Sequence, residues 1–311
     1  MTWSRNALRF GWRFIRNFMC CVPVFRRMLF PPTQLALRFG SADAGYSWGV
    51  FAHHFMQLEK AGFRRAERVL EVGPGPNLGT ALLWWTFLTS QDSSRRAEIT
   101  CWDVFSNVSL SDDRFWMRLA AALLDEMPAR PEADLPLASL REGLLAVAEG
   151  RVVPSIVYRV EPLEHLVAHL AQGRTKFDLV YSQAAIEHVW FIDAFWTAMS
   201  GLTEPGGWHS HRIDLADHGR RETNYIEMLQ WSRLGYWLTM RFVPGAINRW
   251  RACHHLEKLG REGFAIVSAE RMVRENLPVP LRSISTEFRN LDGIELRTTA
   301  LDVVARKRAG S

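Results

Sequence analysis

The stretch Arg68-Val-Leu-Glu-Val-Gly-Pro-Gly-Pro-Asn-Leu-Gly79 decides the fold of this chain of 311 residues. Its first five residues are mostly apolar, which predicts a short buried strand. The glycines that follow permit a tight turn, and the apolar run from Leu78 to Leu88 predicts a helix directly after it. The stretch therefore predicts a strand, a glycine-rich turn and a helix whose first N–H groups face a ligand.

Strands and helices continue to alternate along the chain. Six further segments are predicted strands: 98–103, 155–160, 177–181, 208–215, 264–269 and 300–305. Helices are predicted at 45–61, 115–126, 137–148, 162–170 and 192–199. Such alternation is typical of an α/β fold with helices on both faces of the sheet. We therefore expect a doubly wound, mostly parallel, seven-stranded sheet.

The chain is predicted to consist of an N-terminal extension, residues 1–62, and one α/β domain, residues 63–311. Within the domain we expect a helical insertion at about 107–153 and a helical lid at about 219–256, after the fifth strand. The lid is rich in large apolar side chains: Tyr225, Met228, Trp231, Tyr236, Trp237 and Phe242. These side chains either enclose a hydrophobic ligand or pack in the core. Arg241, Arg249 and Arg251 are candidates for binding an acidic group of that ligand, or form surface ion pairs.

The positive charge of the chain is concentrated at its N-terminus. Residues 1–42 contain seven arginines and no lysine, aspartate or glutamate, which leaves 31 basic against 33 acidic residues in the rest. The near-neutral body argues against a nucleic-acid partner. A helix at 3–19 places its arginines in a narrow stripe on an apolar surface. Three interpretations stay open: contact with a membrane surface, packing on the domain or in a homodimer with the arginines facing water, and a targeting segment.

The four cysteines show no C-x-x-C spacing, so a reducing, cytoplasmic location is expected. If the N-terminal helix contacts a membrane, we expect the protein at the inner face of that membrane. No uninterrupted apolar run of about 18 residues predicts a membrane-spanning helix.

The glycine-rich turn taken alone fits a dinucleotide as well as other ligands. An acidic residue two places before the first glycine disfavours a pyrophosphate, however, and favours a ligand that carries an amino group. The run Glu71-x-Gly73-x-Gly75 resembles motif I of class I S-adenosylmethionine-dependent methyltransferases. The run 177–189, with Glu187-His188, resembles the fourth-strand motif of that superfamily, and Pro205-Gly-Gly207 resembles the turn before its fifth strand. The resemblance covers residues 64–215.

The resemblance implies S-adenosylmethionine as the cofactor and names the residues that contact it. Glu71, Gly73 and Gly75 would line its methionine part, with Asn77, a residue that tolerates positive φ, at the position of the third glycine. Asp103 would accept hydrogen bonds from the ribose hydroxyls, unless it is a solvated turn residue. Glu161 would contact the adenine, unless it merely begins a helix. Ser182 and Gln183, in the fourth-strand motif, complete the predicted cofactor site.

His188, His218 and Asp214 are the candidate catalytic residues. A histidine of near-neutral pKa can take a proton from a nucleophile, although His188 also fits a role in shaping the pocket. Asp214, Asp217 and His218 lie at the C-terminal edge of the fifth strand. They would ligate a divalent cation, form an acid–base pair, or cap the next helix; we assign no metal ligand. Strand alternation places His209 and His211 on one face.

The resemblance implies methyl transfer to an O, N or C nucleophile of a small, hydrophobic molecule. The alternatives are a methyltransferase for RNA or protein, a non-catalytic binding protein of the same fold and, more remotely, a dinucleotide-dependent oxidoreductase.

Overall fold

A computed structural model describes residues 2–30, 43–91, 97–108, 110, 112–128, 135–172 and 175–309. Parts of the predicted extension (1–62) and insertion (107–153) therefore lie outside the described residues. The strands are β1 (Arg68–Val72), β2 (Glu98–Asp103), β3 (Ile156–Val160), β4 (Phe177–Gln183), β5 (Thr203–Asp214), β6 (Phe264–Val273) and β7 (Thr298–Lys307). The helices are α1 (Thr2–Cys20), α2 (Pro23–Leu29), α3 (Ala44–Lys60), α4 (Gly79–Gln91), α5 (Phe115–Asp125), α6 (Leu137–Ala148), α7 (Leu163–Gln172), α8 (Ile192–Leu202), α9 (Arg233–Met240), α10 (Ala252–Arg261) and α11 (Gly293–Arg297).

The strands form one sheet in the order β3-β2-β1-β4-β5-β7-β6. β1 to β5 pair in parallel, and β7 runs antiparallel to both of its neighbours. The predicted doubly wound, mostly parallel sheet of seven strands is confirmed. β5 begins earlier than predicted, because Pro205-Gly-Gly207 is included in the strand and Thr203 pairs with Phe177 ahead of a register shift.

Alternate residues of each strand supply two cores, one on each face of the sheet. Val69 and Leu179 face the core formed with α3, α4, α5 and α6, whereas Leu70 and Val180 face the core formed with α8 and α10. Burial on both faces explains why the central strands read as short apolar runs. Glu71 lies on the α4 side, in register with Cys101 and Tyr181.

A third apolar cluster is formed by residues that lie between β5 and β7 in the sequence. It joins the segment around α9 to the segment before β7 through Ile226, Leu229, Tyr236, Ile247 and Phe288. Tyr225 and Met228 are buried in the same cluster, so these two predicted lid side chains pack in a core. Trp237 and Phe242 are exposed.

Helix α1 packs against α9. The Asn17 amide donates to the Leu238 carbonyl at 2.9 Å and accepts from the Phe242 N–H at 2.7 Å, and Cys20 is buried beside Val243. No helix within the described residues is long and apolar enough to cross a bilayer.

Candidate functional site

The loops after β1 and β4 meet at the point where the strand order reverses. In such sheets the helices leave neighbouring strands on opposite faces, and a crevice opens at the carboxyl ends. Gly73 and Gly75 have φ of 70° and 75°, and Ala184, just after β4, has φ of 49°. A Cβ on Gly73 would lie 2.6 Å from the Ala185 Cβ. Only glycine therefore fits at position 73, and the backbone of the turn lines the crevice.

Glu71 is buried beneath this turn, with 5% of its surface exposed. The Cys101 thiol donates to its Oε2 at 3.4 Å. Burial raises the pKa of Glu71 to about 7, against the opposing effect of the nearby Tyr181 hydroxyl and Cys101 thiol. A cationic ligand group beside this carboxyl would favour its ionised form.

Asn77 contributes its side chain rather than an unusual backbone conformation. Its Oδ1 accepts from the Gly79 N–H at 2.8 Å and from the Ser47 hydroxyl at 2.9 Å. Ala184 is the one residue other than glycine with positive φ among the described residues, so Asn77 does not use the positive φ that asparagine tolerates. The amide holds the first turn of α4 in place instead, as a capping side chain does.

Asp103 lies at the end of β2, at the same edge of the sheet. Its Oδ1 accepts from the Val104 and Phe105 N–H groups at 2.7 and 3.1 Å, and its Oδ2 accepts from the Asn107 amide at 2.8 Å. Burial raises its pKa despite these bonds. Glu161, after β3, is mostly buried, and its Oε1 lies 3.8 Å from the Arg159 guanidinium.

Ser182 begins a buried chain of hydrogen bonds that runs away from the crevice. Thr203 donates to the Met199 carbonyl at 2.6 Å, so His209 must donate to Thr203 through Nε2, at 2.8 Å. His211 Nε2 then donates to His209 Nδ1 at 3.0 Å, and Ser182 donates to His211 Nδ1 at 2.8 Å. The shared face predicted for the two histidines is confirmed. Burial lowers the pKa of His209 to about 3, so both rings are neutral and the Ser182 proton points into the core.

Gln183 lies beside Ser182 at the end of β4, next to the Tyr46 hydroxyl of α3. Its Oε1 is buried and has no hydrogen-bond partner within the described ranges. Buried amide oxygens are rarely left unpaired, so this atom marks a place where a donor is expected.

The three candidate catalytic side chains lie together. The His188 and His218 ring centroids are 5.1 Å apart, and His218 Nε2 lies 3.2 Å from Asp214 Oδ2, which also pairs with Arg221. His188 donates through Nδ1 to the Ala246 carbonyl at 3.3 Å, and burial lowers its pKa to about 4. Asp217 is not part of this group, since its Oδ1 accepts from the Gly219 N–H at 2.9 Å in a turn.

Glu187 adds a fourth group, to which the sequence assigns no role beyond the pair with His188. Glu187 is 1% exposed, and neither of its carboxyl oxygens has a hydrogen-bond partner in another residue of the described part of the chain. Burial raises its pKa to about 8.

A cavity of about 760 Å³ is lined in part by His188, Asp214 and His218. Its walls include Tyr46 and Ala184 at the crevice end and, farther away, Arg13 and Arg16 of α1. The remaining lining comes mostly from the predicted lid: Gly219, Arg220, Arg221, Glu227, Trp231, Tyr236, Met240, Val243, Pro244, Gly245 and Ala246. A second cavity, of about 480 Å³, shares Ala184, Asp214 and Arg221 with the first.

In the interpretation that α1 packs on the domain, its arginines face water, and this orientation is wrong for Arg13 and Arg16. Arg13 pairs with Glu227 at 2.7 Å and covers the Trp231 ring at 5.0 Å, and Arg16 contacts the Met240 sulfur at 3.6 Å. The sequence predicts that these arginines share one helix face. It gives no sign of what that face meets.

Comparison with known proteins shows likeness in fold. No family model matches the chain, and no curated protein sequence does. An S-adenosylmethionine-dependent methyltransferase from Mesorhizobium loti is 17% identical over 82% of this chain and 97% of that one, with a TM-score of 0.40. The [4+2]-cyclase SpnF is 12% identical over 87% and 84%, with a TM-score of 0.43. The CurJ carbon methyltransferase is 13% identical over 91% and 61%, also with a TM-score of 0.43. The sheet order of this chain is that of the class I methyltransferase fold. One fold can host many activities, so the residues of the site indicate the activity of this chain better than its fold does.

Proposed function

We propose that the protein transfers a methyl group from S-adenosylmethionine to an O, N or C nucleophile of a small, hydrophobic molecule. One observation carries the proposal. The glycine turn, Glu71 and Asp103 lie at one edge of the sheet. A cavity of about 760 Å³ lies at the same edge, and His188, His218 and Asp214 line it. A donor site and an acceptor site side by side are what alignment of two reactants requires.

The residues at the crevice fit the proposed cofactor. The Glu71 carboxyl and the Gln183 Oε1, which has no partner among the described residues, are acceptors for an amino group. The Gly73 turn admits close approach of the backbone. Asp103 is at the strand edge, where its carboxylate would accept from two ribose hydroxyls. Bound S-adenosylmethionine would supply an electrophilic methyl group on a sulfonium. The protein would contribute orientation and exclusion of water.

His188, His218 and Asp214 are assigned to the acceptor. Asp214 fixes the orientation of His218, and the Ala246 carbonyl fixes that of His188. Side chains held in this way either hold the acceptor in place or take its proton. Trp231, Met240 and Val243 make one part of the wall of this otherwise polar cavity apolar, which supports an acceptor with a hydrophobic portion.

Calorimetric titration with S-adenosylhomocysteine across a pH series tests the cofactor site. The ionised form of Glu71 binds the amino group, and the pKa of Glu71 is about 7. Its proton must therefore be lost on binding at lower pH, and the Kd is expected to rise about tenfold from pH 8 to pH 6. The Glu71→Gln variant should bind weakly, with a Kd that varies little over this range. No binding by folded wild-type protein, or preference for NAD, would contradict the proposal.

The outer side of α1 and α2 supports peripheral contact with a membrane. Large apolar side chains project from it, with Phe18 68% and Met28 72% exposed. Trp12, Ile15, Val24 and Phe25 are also exposed. Residues 1–42 carry arginines and no acidic residue, so the same surface of a second copy would bring like charges together. We therefore propose an anionic lipid surface as the partner, which would also present a lipophilic acceptor.

Sedimentation with phosphatidylcholine–phosphatidylserine vesicles checks this contact. Burying one phenylalanine contributes about 1.5–3 kcal/mol, so Phe18→Glu is expected to weaken vesicle binding at least about tenfold. Val153→Glu, at an exposed apolar position outside α1 and α2, is the matched control and should bind like wild type. Equal sedimentation of all three proteins would contradict membrane contact through this surface.

A further inference from the structure

The buried Glu187 carboxyl lies beside two imidazoles. We propose that Glu187, His188 and His218 bind one divalent transition-metal cation at the wall of the acceptor cavity. Ligand atoms of these three residues all lie within 4.8 Å of one another. A cation with bonds of about 2.0–2.2 Å holds ligand atoms up to about 4 Å apart, so small side-chain rotations suffice to close the site.

The environment of the Glu187 side chain also favours a bound cation. This side chain is almost fully buried, and its two oxygens have no hydrogen-bond partner in any other described residue. Arg221, whose charge acts on Glu187, is engaged with Asp214. Buried polar groups in folded proteins are nearly always partnered, and a buried carboxyl is partnered by a cation, a hydrogen-bond donor or a metal. A bound cation would supply the partner that the described residues do not.

Both histidines carry the outer contacts that metal-binding imidazoles usually have. His188 donates through Nδ1 to the Ala246 carbonyl, and His218 Nε2 lies 3.2 Å from the Asp214 carboxylate. Such contacts fix the orientation of a metal-binding imidazole ring. Asp214 is itself held by Arg221 and by the Ala216 N–H at 3.0 Å. Asp214 is therefore a positioning residue in this proposal, rather than a ligand.

The donor set indicates the class of cation. Two imidazoles with one carboxylate suit zinc, manganese and iron, whereas Mg²⁺ and Ca²⁺ prefer oxygen ligands. Three protein ligands leave further coordination positions open toward the cavity. On the basis of the proposed function, these positions would hold a hydroxyl of the acceptor, so the nucleophile is an oxygen.

Calorimetric titration with MnCl₂ and with ZnCl₂ tests the site on the untagged, chelator-treated full chain. Wild-type protein should bind one equivalent. Glu187→Gln and His218→Asn should each bind at least about tenfold more weakly. His218 is partly exposed, so its replacement keeps the test valid if Glu187→Gln fails to fold. His165→Asn, at an exposed histidine of α7, is the matched control and should bind like wild type.

A parallel titration with S-adenosylhomocysteine separates the two proposals. If wild type binds S-adenosylhomocysteine but neither metal, or if both site variants bind metal like wild type, the metal site is overturned and the methyltransferase proposal stands. If metal binds and is lost in the variants while S-adenosylhomocysteine does not bind, the site is supported and the proposed function fails.

Discussion

An Asp103→Ala variant is expected to bind S-adenosylhomocysteine at least about a hundredfold more weakly than the wild-type protein. A hydrogen bond to a carboxylate contributes about 1.5–3 kcal/mol, and Asp103 would accept two from the ribose. A summed loss near 3 kcal/mol corresponds to about two orders of magnitude in Kd. Calorimetric titration of both proteins at pH 8 measures the difference.

The control for Asp103 must separate ribose binding from support of its own loop. The carboxylate also holds the Val104 and Phe105 N–H groups and the Asn107 amide. Asn107→Ala removes one loop contact and keeps the carboxylate, so its Kd should stay within about threefold of wild type, close to the ordinary effect of one exposed hydrogen bond. A loss as large as that of Asp103→Ala would assign the effect to the loop and contradict ribose binding by the carboxylate.

Replacing Arg251 with methionine is expected to lower the free energy of unfolding by about 4 kcal/mol. This value lies within the range of losses measured when one partner of a buried charged pair is removed. The Arg251 side chain is fully buried. It donates to the Leu215 carbonyl at 2.8 Å, to the Glu295 carbonyl at 2.8 and 3.2 Å, and to the Thr298 carbonyl. It thereby joins the end of β5 to α11 and the start of β7. Methionine fills similar space but leaves three carbonyls without their donor.

Urea denaturation at neutral pH measures this loss. Arg261→Met is the matched control, because the Arg261 side chain is 71% exposed and pairs with Glu257 one helical turn away. Exposed pairs of this kind contribute about 0.3–0.5 kcal/mol. Equal stability of the two variants would contradict the structural role of Arg251. The result also bears on the acceptor, since an arginine engaged in this way is not available to bind an acidic group.

Much of the fold could be predicted because local pattern and tertiary environment agree. β1, β2 and α6 begin and end at the predicted residues, since apolar runs of strand length and an amphipathic helix are defined by their own sequences. The motif positions also follow from order along the chain. The carboxyl ends of parallel strands share one edge, so Glu71, Asp103 and Gln183 come to the same crevice.

The sequence by itself determined the alternation of strands and helices, the glycine turn at Gly73 and the edge of the sheet at which the site lies. Only the tertiary structure decided which surfaces meet. It turned Arg13 and Arg16 of α1 toward the cavity. It also buried Arg251, where its guanidinium joins the end of β5 to α11 and the start of β7. It also placed Glu187 beside the neighbouring His188 and beside His218, which is distant in the chain. The physical reason is that periodicity states which side chains share a face, whereas the partner of that face depends on packing between segments distant in sequence.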